Sequence, residues 1–189
     1  VNPLLAAALE MERFFRARRW RFCIIGGLAV VRWGSPRATE DVDISLLTGL
    51  GNEARIVERI LKDFAPRSDD AGAFALESRV LLITPSNRTS IDVALTAYPF
   101  EEEIIQRASK YQFAKGVRLT TASAEDCILM KAKAIASRSR DWQDIRDIAE
   151  AQSQQLEWDY IERQLVGLSE AIEADDLITR LKDVRRQTE

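Results

Sequence analysis

The stretch that most constrains the fold is Ile24-Ile25-Gly26-Gly27-Leu28-Ala29, followed further on by Asp41-Val42-Asp43-Ile44-Ser45-Leu46-Leu47. Arg21–Ile25 is short, apolar and rich in isoleucine, and it stops at the glycine pair, as a buried strand does. Leu28–Trp33, closed by Gly34-Ser35-Pro36, fits a short helix launched from the glycines. Asp41–Leu47 alternates acid with Val, Ile and Leu. Side chains alternate faces along a strand, so this one carries Asp41 and Asp43 side by side on one face.

Two adjacent carboxylates repel one another unless a cation lies between them. A divalent ion with oxygen ligands answers that repulsion, and Mg²⁺ uses one or two carboxylates together with substrate phosphates. Ser90–Thr96 reads as a further strand in which Ile91, Val93 and Leu95 form the apolar face and Asp92 the other. If it pairs beside Asp41–Leu47, three acids converge in the manner of a two-metal site. Gly26 and Gly27, between strand and helix, offer bare backbone N–H groups to an anion with no Cβ in the way.

Composition narrows the chemistry. The chain has 189 residues and no histidine, so Ser-His-Asp, Cys-His and histidine-metal mechanisms are excluded. Its two cysteines, Cys23 and Cys127, lie far apart in apolar stretches and read as core thiols. Net charge is −3, against a surface that coats nucleic acid as a whole, although Arg13, Arg16, Arg18, Arg19 and Arg21 form a local basic run. That run reads as a solvated helix face, or alternatively as a phosphate-contacting patch. No apolar run approaches the roughly 20 residues of a spanning helix. Nor does a basic stretch precede the apolar start, so the expectation is a cytoplasmic protein with no membrane partner.

The remaining pattern divides the chain. Pro3–Arg18 has a helical stripe of Leu4, Ala8, Met11 and Phe15, and Asn52 precedes a second stripe of Ile56, Ile60, Leu61 and Phe64. Ala73–Glu77 and Arg79–Thr84 read as a strand pair, Phe100–Ala114 as a helix, and Val117–Thr120 as a last edge strand. From Ser123 the pattern is helical only, opening on Ser123 and Asp126 as a capping box and continuing through Ser139–Gln152 to two further helices. The expected architecture is α+β: a mixed-sheet lobe over residues 1–122 with flanking helices, then a helical lobe over 123–189.

The order Gly26-Gly27, Arg37-Ala38-Thr39-Glu40-Asp41-Val42-Asp43, Asp92, then Glu125-Asp126-Cys127-Ile128-Leu129-Met130-Lys131 and Arg140-Asp141-Trp142-Gln143-Asp144 resembles the DNA-polymerase-beta-like nucleotidyltransferase superfamily. Within it, the pattern is most similar to the AbiEii/AbiGii-type toxins and their small relatives. The resemblance covers roughly residues 20 to 150. It implies a nucleotidyltransferase core that moves an NMP from an NTP to a hydroxyl and releases pyrophosphate. The acceptor would be a tRNA 3′ end, a protein or a small molecule, in a toxin–antitoxin or phage-defence setting with a cognate toxin or antitoxin partner.

Carried over by position, Gly26 and Gly27 would hold the triphosphate. Asp41, Asp43 and Asp92 would hold Mg²⁺ (or Mn²⁺), with Asp92 also aiding deprotonation of the acceptor. Lys131 would touch phosphate, and Asp141 or Asp144 would be the late acid of the motif. Arg37 and Thr39, just ahead of the acids, are further nucleotide-site candidates. Each has a structural counterpart: Arg37 can hold the acidic strand by an ion pair, and Asp141 and Asp144 can pair with Lys131, Arg138 or Arg140. Glu125 and Asp126 can simply serve a helix N-terminus. The four tryptophans, Trp20, Trp33, Trp142 and Trp158, read as packing residues. The alternative to an enzyme is a catalytically silent nucleotide-binding module acting as antitoxin or regulator. This chain has a shorter C-terminal half than several toxin members, which leaves its acceptor open.

Overall fold

The computed structural model describes residues 2–134, 139–172 and 175–188. The chain begins with α1 (Pro3–Ala17), β1 (Phe22–Ile25), α2 (Gly26–Trp33) and β2 (Asp41–Leu47). It continues with α3 (Glu53–Leu61), a two-residue β3 (Ala65–Pro66), α4 (Ala71–Ser78), β4 (Val80–Thr84) and β5 (Ser90–Thr96). Then come α5 (Pro99–Arg107), β6 (Ser109–Ala114) and β7 (Val117–Thr121), followed by α6 (Ala124–Ala134), α7 (Ser139–Gln152), α8 (Trp158–Ile172) and α9 (Asp175–Thr188).

These elements pack as two compact units. One is Val1–Leu28 with Ala38–Ala122; the other is Ala29–Arg37 with Ser123–Glu189. The first holds a seven-stranded mixed sheet in the order β3-β4-β5-β2-β1-β7-β6. β2 and β5 run parallel, as do β1 and β7, and the other neighbours are antiparallel. One face of the sheet supplies Ile24, Val42, Ile44, Leu46, Leu81, Ile83, Ile91, Val93 and Leu95 to the core. Against it lie Met11 and Phe15 of α1, Ile56 and Ile60 of α3, and Ala71 and Ala75 of α4. The start of α1 is fixed locally: Asn2 accepts a hydrogen bond from Leu4 N–H at 2.9 Å, and Pro3 stands in the first turn, where a missing N–H costs nothing.

Three of the five arginines in the basic run near the start have structural partners. Arg16 bonds Glu12 and Thr120, Arg18 reaches Asp63 at 3.0 Å while lying over the Phe14 ring, and Arg21 pairs with Glu102 at 2.7 Å. Cys23 and Cys127 are both buried. Trp142 and Trp158 are buried, and Trp20 packs against the core.

Three elements depart from the sequence expectation. Ala73–Glu77 is not a strand but the body of α4. Its alternation of alanine with Phe74 and Leu76 imitates a period of two, yet those large residues are exposed while Ala71 and Ala75, one helical turn apart, face the core. The helix expected over Phe100–Ala114 stops at Arg107; Ala108 is extended (φ −61°, ψ 142°) and Ser109–Ala114 forms β6. A tight turn through Gly116, at φ +78°, folds β6 back on β7. β7 is therefore an interior strand and β6 the edge.

In the second unit, α6 packs on α7 and α8, and α9 packs on α7 and α8. The buried Asp126 carboxylate accepts hydrogen bonds from the Ser123 hydroxyl at 2.8 Å and the Tyr160 hydroxyl at 2.8 Å. Ser123 Oγ in turn accepts from Asp126 N–H, and Glu125 accepts from the Glu157 N–H that opens α8. These two acids thus anchor helix starts, the structural role open to them. Among the described residues no helix is long and apolar enough to cross a membrane.

Candidate active site

In the first unit, parallel pairing sets β2 and β5 in a register that matches Asp43 with Asp92 and Asp41 with Ser90. Neighbouring strands lie about 4.8 Å apart, and residues opposite one another share a face. Asp41, Asp43 and Asp92 therefore occupy one patch of the sheet face opposite the core. Asp41 is exposed, and Asp43 and Asp92 are half-buried. Thr39 donates its hydroxyl to Asp41 Oδ1 at 3.2 Å, which ties the approach segment to the first acid.

The glycine pair is fitted to this strand. Gly26 sits at φ +60°, and a Cβ there would fall 1.9 Å from Asp43 Oδ2. A Cβ on Gly27 would fall 2.2 Å from Thr39 Oγ1. Both positions thus need glycine, Gly26 for its backbone conformation as well as for space. The side chains that press on the pair are those of Asp43 and Thr39, so the turn and the acidic strand form one piece.

Asp92 has a partner that local sequence gives no sign of. Arg67 Nη1 lies 2.5 Å from Asp92 Oδ1, and its backbone N–H bonds Leu82 C=O at 3.1 Å. Arg67 follows Pro66 directly, and only the pairing of β3, β4 and β5 brings it to the acids. Among the described residues no three Asp, Glu or Cys side chains are gathered closely enough to hold an ion as they stand. The donor set is nevertheless carboxylate and hydroxyl oxygen on one face, which is what a hard divalent ion such as Mg²⁺ takes. In the chemistry of their donor atoms, these residues suit that ion.

The other sequence candidates meet in the second unit. Lys131 Nζ lies 2.6 Å from Asp141 Oδ1 and 2.9 Å from Asp144 Oδ2, and Arg37 Nε lies 3.2 Å from Asp144 Oδ1. Asp141 and Asp144 are buried, and each faces a cation that offsets the cost of burying a carboxylate. Two cations and two carboxylates make a locally neutral cluster. The structure thus brings together Gly26, Gly27, Thr39, Asp41, Asp43 and Asp92 in one unit, and Arg37, Lys131, Asp141 and Asp144 in the other.

A glycine turn locked onto a paired-acid strand, with a third acid in register on the next strand, is the arrangement that the resemblance implies. A family model described as "Nucleotidyl transferase AbiEii toxin, Type IV TA system" matches residues 11–179. The chain belongs to the AbiEii nucleotidyltransferase family. Among solved structures, this AbiEii-family chain is similar to an antigenic nucleotidyltransferase-like protein from Paracoccidioides brasiliensis. That likeness has 15% identity and a TM-score of 0.56, and it covers 94% of this chain and 93% of that one. It is also similar to the lincosamide antibiotic adenylyltransferase LnuA in its lincomycin-bound form, at 13% identity and a TM-score of 0.50, over 75% of this chain and 94% of that one. At such identities the likeness is one of fold: a mixed-sheet nucleotidyltransferase core with C-terminal helices. No curated protein sequence matches the AbiEii-family chain.

Proposed function

We propose that the acidic face of β2 and β5 is the centre of a magnesium-dependent transfer of an NMP from an NTP to a hydroxyl. The observation that carries this reading is the register of Asp43 with Asp92, with Asp41 on the same face and the Gly26-Gly27 turn pressed against Asp43 and Thr39. Asp41, Asp43 and Asp92 would hold Mg²⁺, or Mn²⁺ in its place; when bound, the ion neutralises phosphate charge and makes the acceptor hydroxyl easier to deprotonate.

The chain's own residues supply the rest. α2 begins at Gly26, so its first N–H groups lack partners within the helix and attract the triphosphate. Thr39, bonded to Asp41, fixes the carboxylate's orientation. Asp92 takes the proton of the acceptor hydroxyl as its oxygen bonds to the α-phosphorus. The bond from that phosphorus to the bridging oxygen breaks, and pyrophosphate leaves with the electron pair. On the resemblance alone, Lys131 and Arg37 are read as phosphate-contacting groups, with Asp141 and Asp144 keeping them in place.

The acceptor is a tRNA 3′ end, a protein side chain or a small molecule. The name of LnuA speaks of an antibiotic acceptor for that protein, and the toxin–antitoxin description of the family makes an antitoxin the protein partner to expect here. Incubation of each α-³²P-labelled NTP and Mg²⁺ with total tRNA, with cell protein, with small-molecule hydroxyl acceptors and with the chain itself tests the reading. Label should enter one fraction and vanish in Asp41→Ala/Asp43→Ala. Nucleotide binding with no label in any fraction would favour the silent binding module instead.

A further inference from the structure

Arg67 lies on the same row of the sheet as the acids. β3 pairs with β4 through Pro66 and Ile83, and the next residue, Arg67, bonds the backbone of Leu82. Leu82 is the β4 partner of Asp92, and Asp92 is the β5 partner of Asp43. The row therefore reads Arg67, Leu82, Asp92, Asp43. Two strand spacings, about 10 Å, separate the Arg67 backbone from β5, and the long side chain crosses Leu82 to reach Asp92. The guanidinium arrives from the side of β5 that faces away from Asp43.

We propose that Arg67 is a built-in counter-ion for Asp92, which keeps the third carboxylate in place before an ion binds and competes with the divalent ion for it. This rests on the reading that Asp41, Asp43 and Asp92 take a divalent metal. Three observations support it. Asp92 Oδ1, an oxygen a metal would need, is in contact with Arg67. The pair is about one-third exposed on each side, 35% and 34%, so solvent screens it and it is weak enough for a doubly charged ion to displace. The Arg67 backbone is itself held, its N–H donating to Leu82 C=O at 3.1 Å, so the guanidinium is anchored beside the acid. Arg67 acts through Asp92 and is a positioning residue.

Mn²⁺ binding to the full chain, followed by the electron paramagnetic resonance of free Mn²⁺, tests the proposal in the absence of nucleotide. Wild type, Arg67→Gln, Arg67→Lys and Asp41→Asn/Asp43→Asn are compared, each checked for folding by thermal melting. Removing a screened ion pair should tighten Mn²⁺ binding about two- to fivefold in Arg67→Gln, while Arg67→Lys stays nearer wild type. Arg67→Met, with a stem of comparable reach, replaces Arg67→Gln if that variant folds poorly. Unchanged or weaker binding in the uncharged variant, with normal binding by wild type, overturns the role of Arg67 alone. Binding by wild type no better than by the double asparagine variant removes the metal reading, and the role of Arg67 with it.

Discussion

At Gly26 two constraints fall on one residue: a left-handed backbone at φ +60° and an Asp43 oxygen 1.9 Å from where a Cβ would stand. Gly26→Ala must therefore strain the turn, at about 1–2 kcal/mol for the backbone alone, and push Asp43 aside. The expected result is a lower melting temperature and a disproportionate loss of nucleotidyl transfer, because the displaced group is one of the paired acids. Transfer at wild-type rate in a folded Gly26→Ala would separate Asp43 from the chemistry. This residue was legible in the sequence because strand, Gly-Gly, helix and Asp-x-Asp are all local patterns. Arg67 was not: what gives it a role is Asp92, and only strand pairing across the sheet makes them neighbours.

Among the elements, β7 depends on a side chain where backbone pairing is short. It meets β1 in a single registered pair, Ile24 with Thr121. The buried Glu12 of α1 then accepts from Thr120 N–H at 2.9 Å and from its hydroxyl at 2.9 Å, and also meets Arg16. Glu12→Ala leaves a buried N–H and a hydroxyl without an acceptor, so it should cost about 2–3 kcal/mol in urea denaturation, with Glu12→Gln costing less. An equal loss in both variants would mean that the carboxylate charge matters more than its hydrogen bonds. The alternating strands β2 and β5 were legible from their period, and so were the amphipathic α1 and α3. α4 and β6 were not, because each offers a local pattern that suits two structures. The alanine-rich α4 alternates like a strand, and Ser109–Ala114 directly continues a helix; the pairing of β6 with β7 decides the second case.

On the scale of the whole molecule, the chain enters its second unit early, through residues 29–37. Gly34 lets α7 come close, with Ile148 Cγ1 only 3.2 Å from where a Cβ would lie, and Gln152 donates to Trp33 C=O at 2.9 Å. Arg37 then joins Asp144. Nothing in the composition of residues 29–37 marks them as belonging with helices that begin at Ala124, since the tie is made by contacts remote in sequence. Lys131 stands at the centre of that tie, facing both Asp141 and Asp144 with a side chain that is 17% exposed. Lys131→Met would leave two buried carboxylates with less compensation, and breaking a buried pair in this way costs about 3–5 kcal/mol. Urea denaturation should show a loss of that order, and Lys131→Arg should restore most of it. If Lys131 also meets nucleotide, KM for the NTP in Lys131→Arg should rise even though stability has returned, because a planar guanidinium fixed by two acids presents its donors differently from an ammonium. Restored stability with an unchanged KM would confine Lys131 to holding the unit together.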